Sequence, residues 1–435
     1  MTRTTKRYSV TATIIASGLL SFAGISQAQT VIDCGRVFDA ANGSLMGRHH
    51  ITVADGKITG ISAANAQPDN AANTVDLSHL TCLPGLIDMH VHLENQLSPR
   101  SYIEKFELNP ADLALRAAAN AKTTLNAGFT TVRNLGDSDN VTIALRKAVD
   151  AGLVPGPRIF TAGKTIATTG GHGDPTNGRR VELMGDPGPR NGVVNSPSDA
   201  AKAVRQRYKD GADVIKITAT GGVLSTAKSG VNPQFRDDEL AALIATANDY
   251  GFKVAAHAHG AEGMARAVRA GVASIEHGTL MDKAVMKLMV KNGTYLVPTV
   301  LAGEWVAQKA AIDGFFPDIV RPKAAAIGPQ IQQTAGDAYR FGVKMAFGTD
   351  SGVSAHGDNA QEFTLLVEAG VPAAEALRMA TVHAADLLGE NDHLGILAEG
   401  AWADVVAVDG DPTQDISLML DIPVVIKGGK VVKKS

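Results

Sequence analysis

Short apolar segments alternate with alanine-rich segments through the middle of the chain. The apolar segments are rich in β-branched residues and predict buried strands. The alanine-rich segments, several of which end in AG or YG, predict helices. Eight strands are predicted between residues 84 and 390: 86–93, 130–137, 157–163, 213–220, 253–260, 274–280, 295–300 and 344–352. This alternation predicts an α/β fold, specifically a (β/α)8 TIM-type barrel. A doubly wound sheet is less favoured, because no GxGxxG follows an early strand.

The two ends of the chain have a different pattern, made of short strands and turns. Residues 29–83 include ADGK, a hairpin signal, and residues 391–435 resemble them in pattern. We therefore predict that both ends join in one small β-sandwich domain, with the barrel at 84–390 between its two parts.

Residues 1–28 have the pattern of a secretory signal peptide. A basic start is followed by a short apolar stretch and by SQA, which suits cleavage after Ala28. A membrane anchor is the alternative, but the apolar stretch is shorter than the roughly 20 residues that a spanning helix needs. We predict a secreted or periplasmic protein that has no membrane association after cleavage.

Composition and charge exclude some classes of protein. The formal net charge is −3 and no basic segment lies within the predicted fold, so nucleic acid is not expected as a partner. Two cysteines, Cys34 and Cys82, lie in strand-like segments. In an oxidising compartment they can form a disulfide, and the alternative is two small buried residues.

Lys216 lies in the middle of an apolar predicted strand, in DVIKITATGG. Burial of an unpaired ammonium group is very unfavourable, so this lysine needs a partner or a chemical change. An ion pair with an interior acid is the simplest alternative.

Several other polar residues also lie near the ends of predicted strands. In a barrel of this type the carboxyl ends of the strands meet at one rim, where catalytic residues are found. Imidazoles and carboxylates are ligands for zinc and similar divalent ions. A single strand histidine is more often a hydrogen-bonded core residue, but here the candidates come from separate strands. They are His90, His92, Lys216, His257, His259, His277 and Asp350.

The motifs PGLIDMHVHL, DVIKI, AHAHG, SIEHG and FGTDSG resemble those of the metal-dependent amidohydrolase superfamily, of the binuclear type with a carboxylated lysine. The resemblance implies that two divalent ions, zinc in our prediction, are bound, with carbon dioxide held as a carbamate on Lys216 that bridges them. One ion is then bound by His90, His92 and Asp350, and the other by His257 and His277. The mononuclear deaminase branch fits less well, because it lacks the bridging lysine.

Such a site predicts hydrolysis of an amide bond. Two cations lower the pKa of a shared water, and the resulting hydroxide attacks the carbonyl carbon. Asp350 is the predicted catalytic residue, which accepts the proton of the water and delivers it to the leaving amine.

Further details resemble the prolidase-like dipeptidases and the ochratoxin-hydrolysing amidohydrolases. The resemblance implies a small-molecule substrate with a free carboxylate: a dipeptide or an N-acyl amino acid, ochratoxin A among them. Lactone, cyclic imide or organophosphate hydrolysis in the same site is the alternative, and a non-catalytic binding relative is a third. A homo-oligomer is also expected.

Substrate-binding residues are predicted from the loops around the rim. His172, in GGHGD, and His259 are candidates for the substrate carboxylate, although His259 can instead orient His257. Backbone N–H groups of the loop at Gly222 and Val223 are further candidates. Four ring side chains of later loops are candidates for an apolar pocket, with ordinary packing as the alternative: Trp305, Phe315, Phe316 and His356.

Overall fold

The computed structural model describes Thr2, residues 29–64 and residues 73–435. The predicted signal peptide therefore lies outside the described residues, apart from Thr2. Within them the chain forms a mixed α/β fold. The strands are β1 Thr30–Asp39, β2 Ser44–Met46, β3 His49–Ala54, β4 Lys57–Ala63, β5 Asn73–Pro84, β6 Leu86–Val91, β7 Phe129–Asn134, β8 Arg158–Thr161, β9 Ile215–Thr218, β10 Val254–Gly260, β11 Ser274–Leu280, β12 Tyr295–Val297, β13 Val405–Val408, β14 Val424–Lys427 and β15 Lys430–Lys434.

Helices connect most of the central strands. They are α1 Ser101–Glu107, α2 Pro110–Asn126, α3 Val141–Asp150, α4 Val181–Met184, α5 Pro197–Asp210, α6 Asp237–Asp249, α7 Ala261–Ala270, α8 Lys283–Asn292, α9 Val300–Ala310, α10 Arg321–Phe341, α11 Gln361–Glu368, α12 Ala373–Met379 and α13 Val382–Leu388. Short 3-10 helices lie at Pro189–Asn191 and Ile416–Leu420. Among the residues described, none of these helices has both the length and the apolar character needed to span a membrane.

The central strands form two parallel sheets. One has the order β6-β7-β8 and the other the order β12-β11-β10-β9. A parallel bridge between Ile166 and Ile217 joins the end of the first sheet to β9. Seven of the predicted strands are thus present, and their buried residues explain the apolar segments of the sequence.

The eighth predicted strand, 344–352, is not a regular strand. It contributes single parallel bridges, from Met345 to Leu296 of β12 and from Ser351 to Val91 of β6. Asp350 has φ 57°, which is incompatible with continuous extended backbone. The prediction of a regular strand here was therefore wrong, and the segment pairs with β12 and β6 only through these single bridges.

Strands from both ends of the chain share one sheet, with the order β15-β14-β13-β5-β1-β3-β4 and β2 paired with β1. This single hydrogen-bonded sheet has its own buried apolar cluster, which includes Ile32, Ile51, Leu77 and Val405. The prediction that the two ends associate agrees with this sheet, whereas two separate layers of a sandwich do not appear in its hydrogen bonding.

Cys34 and Cys82 lie on the neighbouring strands β1 and β5 and form a disulfide bond. Their Cα atoms are 5.9 Å apart, and both residues are fully buried in the cluster of the end sheet. Of the two alternatives from the sequence, the structure therefore has the disulfide.

Candidate metal centre

The parallel strands, the residues that follow them and segment 344–352 place all of the predicted metal ligands in the wall of one cavity. The cavity has a volume of about 470 Å³. Side chains two residues apart on an extended segment point to the same face. Both histidines of the HVH segment at the end of β6, and both histidines of β10, therefore lie in the wall of the cavity. The wall includes His90, His92, Lys216, His257, His259, His277 and Asp350.

Asp350 and three histidines form the centre of this group. Its Oδ1 atom lies 3.2 Å from His92 Nε2 and 3.4 Å from His90 Nε2. One ligand atom each of His90, His277 and Asp350 lies within 4.8 Å of the others. Lys216 Nζ lies 3.5 Å from His90 Nε2. Five of the six predicted ligands are thus in direct proximity.

His257 continues the group on the other side. Its ring centroid lies 4.7 Å from that of His277, and His259 lies 4.7 Å from His257 and 5.1 Å from His277. The Nδ1 atom of His259 is 2.8 Å from Thr279 Oγ1, and His257 Nε2 is 3.1 Å from the carbonyl oxygen of Gly221. The structure therefore places both histidines of β10 in the site.

Burial determines the charge states in this group. It lowers the pKa of Lys216 to about 8, lowers that of His90 to about 4, and holds those of His257 and His277 well below the usual value. For Asp350, burial alone would raise the pKa, but the neighbouring histidines outweigh it and lower the pKa. For His92, burial would lower the pKa, but the hydrogen bond to Asp350 and its charge outweigh burial and raise the pKa. Neutral imidazoles and an ionised carboxylate are the states in which such groups bind metals, and a cation beside His92 would favour its neutral form.

This donor set fits divalent metal ions. Asp350 Oδ1 is buried and has no hydrogen-bond partner among the described residues, although imidazole nitrogens surround it. An orphaned buried carboxylate oxygen beside neutral imidazoles is energetically unfavourable unless a cation joins them. The observed donors, nitrogen and oxygen, suit zinc.

Glu276 was not identified from the sequence, although it contacts His90 and so supports the site. Its Oε2 atom is 3.0 Å from His90 Nδ1, and its Oε1 atom accepts a hydrogen bond of 2.9 Å from Arg133 Nη2. Both Glu276 and Arg133 are buried. A carboxylate on the second nitrogen fixes the orientation of a metal-binding imidazole. A buried acid in the apolar strand SIEHG was the available signal.

Residues of the site adopt left-handed backbone conformations that non-glycine residues rarely adopt. His277 has φ 72°, Thr299 has φ 53° and Asp350 has φ 57°. Thr299 Oγ1 also lies 2.7 Å from His277 Nδ1. Such strain persists only where the surroundings impose it, and it concentrates at functional sites.

The predicted substrate-binding residues lie beside this group. His172 lines the cavity, and its ring stacks on that of His257 with centroids 4.3 Å apart. Val223 also lines the cavity. Gly222 packs so closely on His172 that a Cβ atom there would lie 2.3 Å from the imidazole ring. The loop itself is held by Lys323, whose Nζ donates hydrogen bonds to three of its carbonyl oxygens, those of Gly222, Ser225 and Ala227.

The ring side chains predicted for an apolar pocket do not line the cavity. Trp305, Phe315 and Phe316 pack together in an apolar cluster with α9 and α10, and His356 is hydrogen-bonded to Thr124 and to the backbone. As lining residues they were assigned wrongly: Trp305, Phe315 and Phe316 pack in the same apolar cluster as residues that do line the cavity, among them Leu97, Leu224 and Val306. The apolar wall is formed instead by Leu97, Tyr102, Leu108, Leu113, Leu224, Val306 and Ile327.

The chain is similar to known proteins. A model of the amidohydrolase family matches residues 81–432. The ochratoxinase of Aspergillus niger is 30% identical over 375 residues, which cover 81% of this chain and 75% of that protein.

Two solved structures are also similar. A Xaa-Pro dipeptidase with methionine bound in its active site is 51% identical, with a TM-score of 0.91 over 93% of this chain and 100% of that chain. A prolidase in complex with N-methylphosphonate-L-proline is 33% identical, with a TM-score of 0.86 over 94% of this chain and 100% of that chain.

Proposed function

The chain belongs to the amidohydrolase family and is a hydrolytic enzyme that acts on amide bonds, and we propose that it releases the C-terminal amino acid of a dipeptide or an N-acyl amino acid with two bound zinc ions. The observation that supports this most is the convergence of His90, His92, Lys216, His257, His277 and Asp350 on one cavity. Similarity to an ochratoxinase and to a Xaa-Pro dipeptidase supports substrates in which an amide nitrogen belongs to an amino acid, ochratoxin A among them.

In this proposal the six side chains hold the metals. His90, His92 and Asp350 hold one ion, and His257 and His277 hold the other. Lys216 would contribute to holding both ions once its amine had reacted with carbon dioxide to form a carbamate, with release of a proton. The lowered pKa of Lys216 supports this step, because only the neutral amine reacts. When bound, the ions supply Lewis acidity and lower the pKa of water.

The protein side chains then handle the substrate and the protons. Asp350 accepts the proton of the attacking water and passes it to the leaving amine. His172 and the backbone N–H groups at Gly222 and Val223 bind the substrate carboxylate, and His259 contributes or orients His257. The leucines of the cavity wall accept an apolar acyl group or side chain.

We also propose the wider architecture on which this site depends. The two parallel sheets and segment 344–352 together close into a (β/α)8 barrel at 84–390, with the end strands at 29–83 and 391–435 as a second domain. Backbone hydrogen bonds of 2.7 Å from Asp350 N to His90 O and from His92 N to Ser351 O support closure between the last segment and β6. The predicted signal peptide implies export of the mature enzyme.

A substrate panel tests the function. The mature protein, supplied with zinc and bicarbonate, is assayed with Xaa-Pro and other dipeptides, N-acyl amino acids, ochratoxin A, lactones, cyclic imides and phosphotriesters. We expect release of free amino acid, and metal analysis that finds about two divalent ions per chain. Turnover of only a lactone, an imide or a phosphotriester would overturn the proposed substrate class, and full activity without metal would overturn the proposed site.

A further inference from the structure

Glu94 follows the HVH segment of the metal site and lies in the wall of the cavity. Its residue is only 8% exposed, and its Oε2 atom has no hydrogen-bond partner in the described part of the chain. A buried carboxylate without a partner is unfavourable, so a group with hydrogen-bond donors and positive charge is expected to join it. Because Glu94 lines the cavity, a ligand held there is the candidate for that group.

The other acidic side chains of the cavity wall already have partners. Glu104 accepts a hydrogen bond of 2.8 Å from Arg116, and Asp139 accepts one of 3.3 Å from Lys164. Asp350 belongs to the metal site. Among the described acidic residues of this wall other than Asp350, Glu94 is therefore the one with a buried oxygen that has no hydrogen-bond partner.

The position of Glu94 in the site indicates which part of a substrate it can bind. The rings of the site form a chain of contacts from His92 through His90, His277 and His257 to His172. Glu94 adjoins the His92 end of this chain, and His172, our proposed carboxylate-binding residue, is at the other end. In the proposed function, a substrate whose C-terminal carboxylate is bound at His172 would extend across the site towards Glu94.

We propose that Glu94 binds the α-ammonium group of a dipeptide, so that the enzyme prefers dipeptides with a free amino terminus to their N-acylated counterparts. This proposal rests on the function proposed above and specifies the substrate within it. An ammonium group supplies both the charge and the donors that the buried carboxylate lacks. An acylated nitrogen supplies one neutral N–H and leaves the carboxylate without its counter-charge.

The test compares substrates that differ only at this nitrogen. The zinc-loaded wild-type protein is assayed with alanyl-proline, N-acetyl-alanyl-proline and propionyl-proline, the last of which lacks the amino group. Because a hydrogen bond to a charged group contributes more than one between neutral groups, we expect kcat/KM for alanyl-proline to exceed the other two by about tenfold or more. Equal or faster turnover of the acylated substrates would overturn the proposal. Turnover of none of the three would instead count against the proposed function.

A matched pair of variants then assigns the preference to Glu94. Glu94→Gln should lower kcat/KM for alanyl-proline by about 10- to 100-fold and change that for N-acetyl-alanyl-proline by less than about threefold. Glu104→Gln, whose carboxylate is already paired, should leave the ratio of the two substrates unchanged. Metal analysis accompanies both variants. An equal loss for both substrates in Glu94→Gln would show that the residue only supports His92, and would refute its role in recognition.

Discussion

Glu276 offers the sharpest test of how the fold supports the candidate metal site. Its two carboxylate oxygens serve different partners, Arg133 at 2.9 Å and His90 Nδ1 at 3.0 Å. Glu276 has no exposed surface, and Arg133 is 2% exposed. The substitution Glu276→Gln keeps the shape of the side chain and removes its charge, so Arg133 becomes a buried cation without an anion.

The expected cost follows from that burial. Removing one partner of a buried ion pair typically costs about 3–5 kcal/mol, and because Gln keeps one acceptor for Arg133 we expect the lower end, about 3 kcal/mol. His90 also loses the carboxylate at its Nδ1 atom. Loss of such a partner typically lowers metal affinity by about 10- to 100-fold.

Two measurements check these values. Urea unfolding of the metal-free protein gives the change in stability, and a competition titration with a zinc-binding dye gives the change in metal affinity. The control is Glu262→Gln, which removes an exposed partner of Arg266 on the surface of α7 and should change neither quantity measurably. A loss of stability below about 1 kcal/mol in Glu276→Gln, together with unchanged zinc affinity, would refute the reasoning, because neutral acceptors such as Met89 O and Ser274 Oγ would then be adequate partners for Arg133.

Three further predictions concern other parts of the structure. Lys216→Ala should fold but lose bound metal and most activity, and small carboxylic acids should restore part of it; metal content and turnover equal to wild type would make this lysine an ordinary buried residue. The pair Cys34→Ser and Cys82→Ser should lower the free energy of unfolding by about 4 kcal/mol, as expected for a disulfide that closes a loop of 48 residues; free thiols in the unreduced, denatured wild-type protein would contradict the bond. Gly222→Ala should raise KM with little change in metal content, because the new Cβ displaces the His172 ring; an unchanged KM would exclude His172 from substrate binding.

Sequence patterns were sufficient for the strands that are both buried and regular. Their β-branched residues face packed surroundings on both sides, so the apolar segments match β6 to β12 closely. The segment 344–352 has the same apolar character at Met345 and Phe347, but Asp350 leaves the extended region immediately afterwards. The composition of a segment does not reveal a left-handed backbone conformation that is imposed by the surrounding structure.

In the candidate site, too, some residues could be predicted from the sequence and others could not. Period-two spacing was enough to bring both histidines of each HxH pair to the cavity. Glu276 was not recognised, because regular alternation would put it and His277 on opposite faces of β11. The φ of 72° at His277 breaks that alternation, so both side chains reach the site. Whether Trp305 and Phe315 line the cavity or pack against helices depends on helices that are distant in sequence. The composition of their segments alone could not predict which of the two occurs.

The strained residues explain why the donors converge before any metal is considered. His277, Thr299 and Asp350 each adopt a conformation that costs roughly 1–3 kcal/mol. Backbone and side-chain contacts oppose this cost: Asp350 N donates a hydrogen bond of 2.7 Å to His90 O, and Thr299 Oγ1 lies 2.7 Å from His277 Nδ1. These contacts tie the strained residues to one another and to β6. The packed fold therefore holds the imidazoles and the carboxylate together, and a metal ion that binds there needs to offset less of the cost of assembling its ligands.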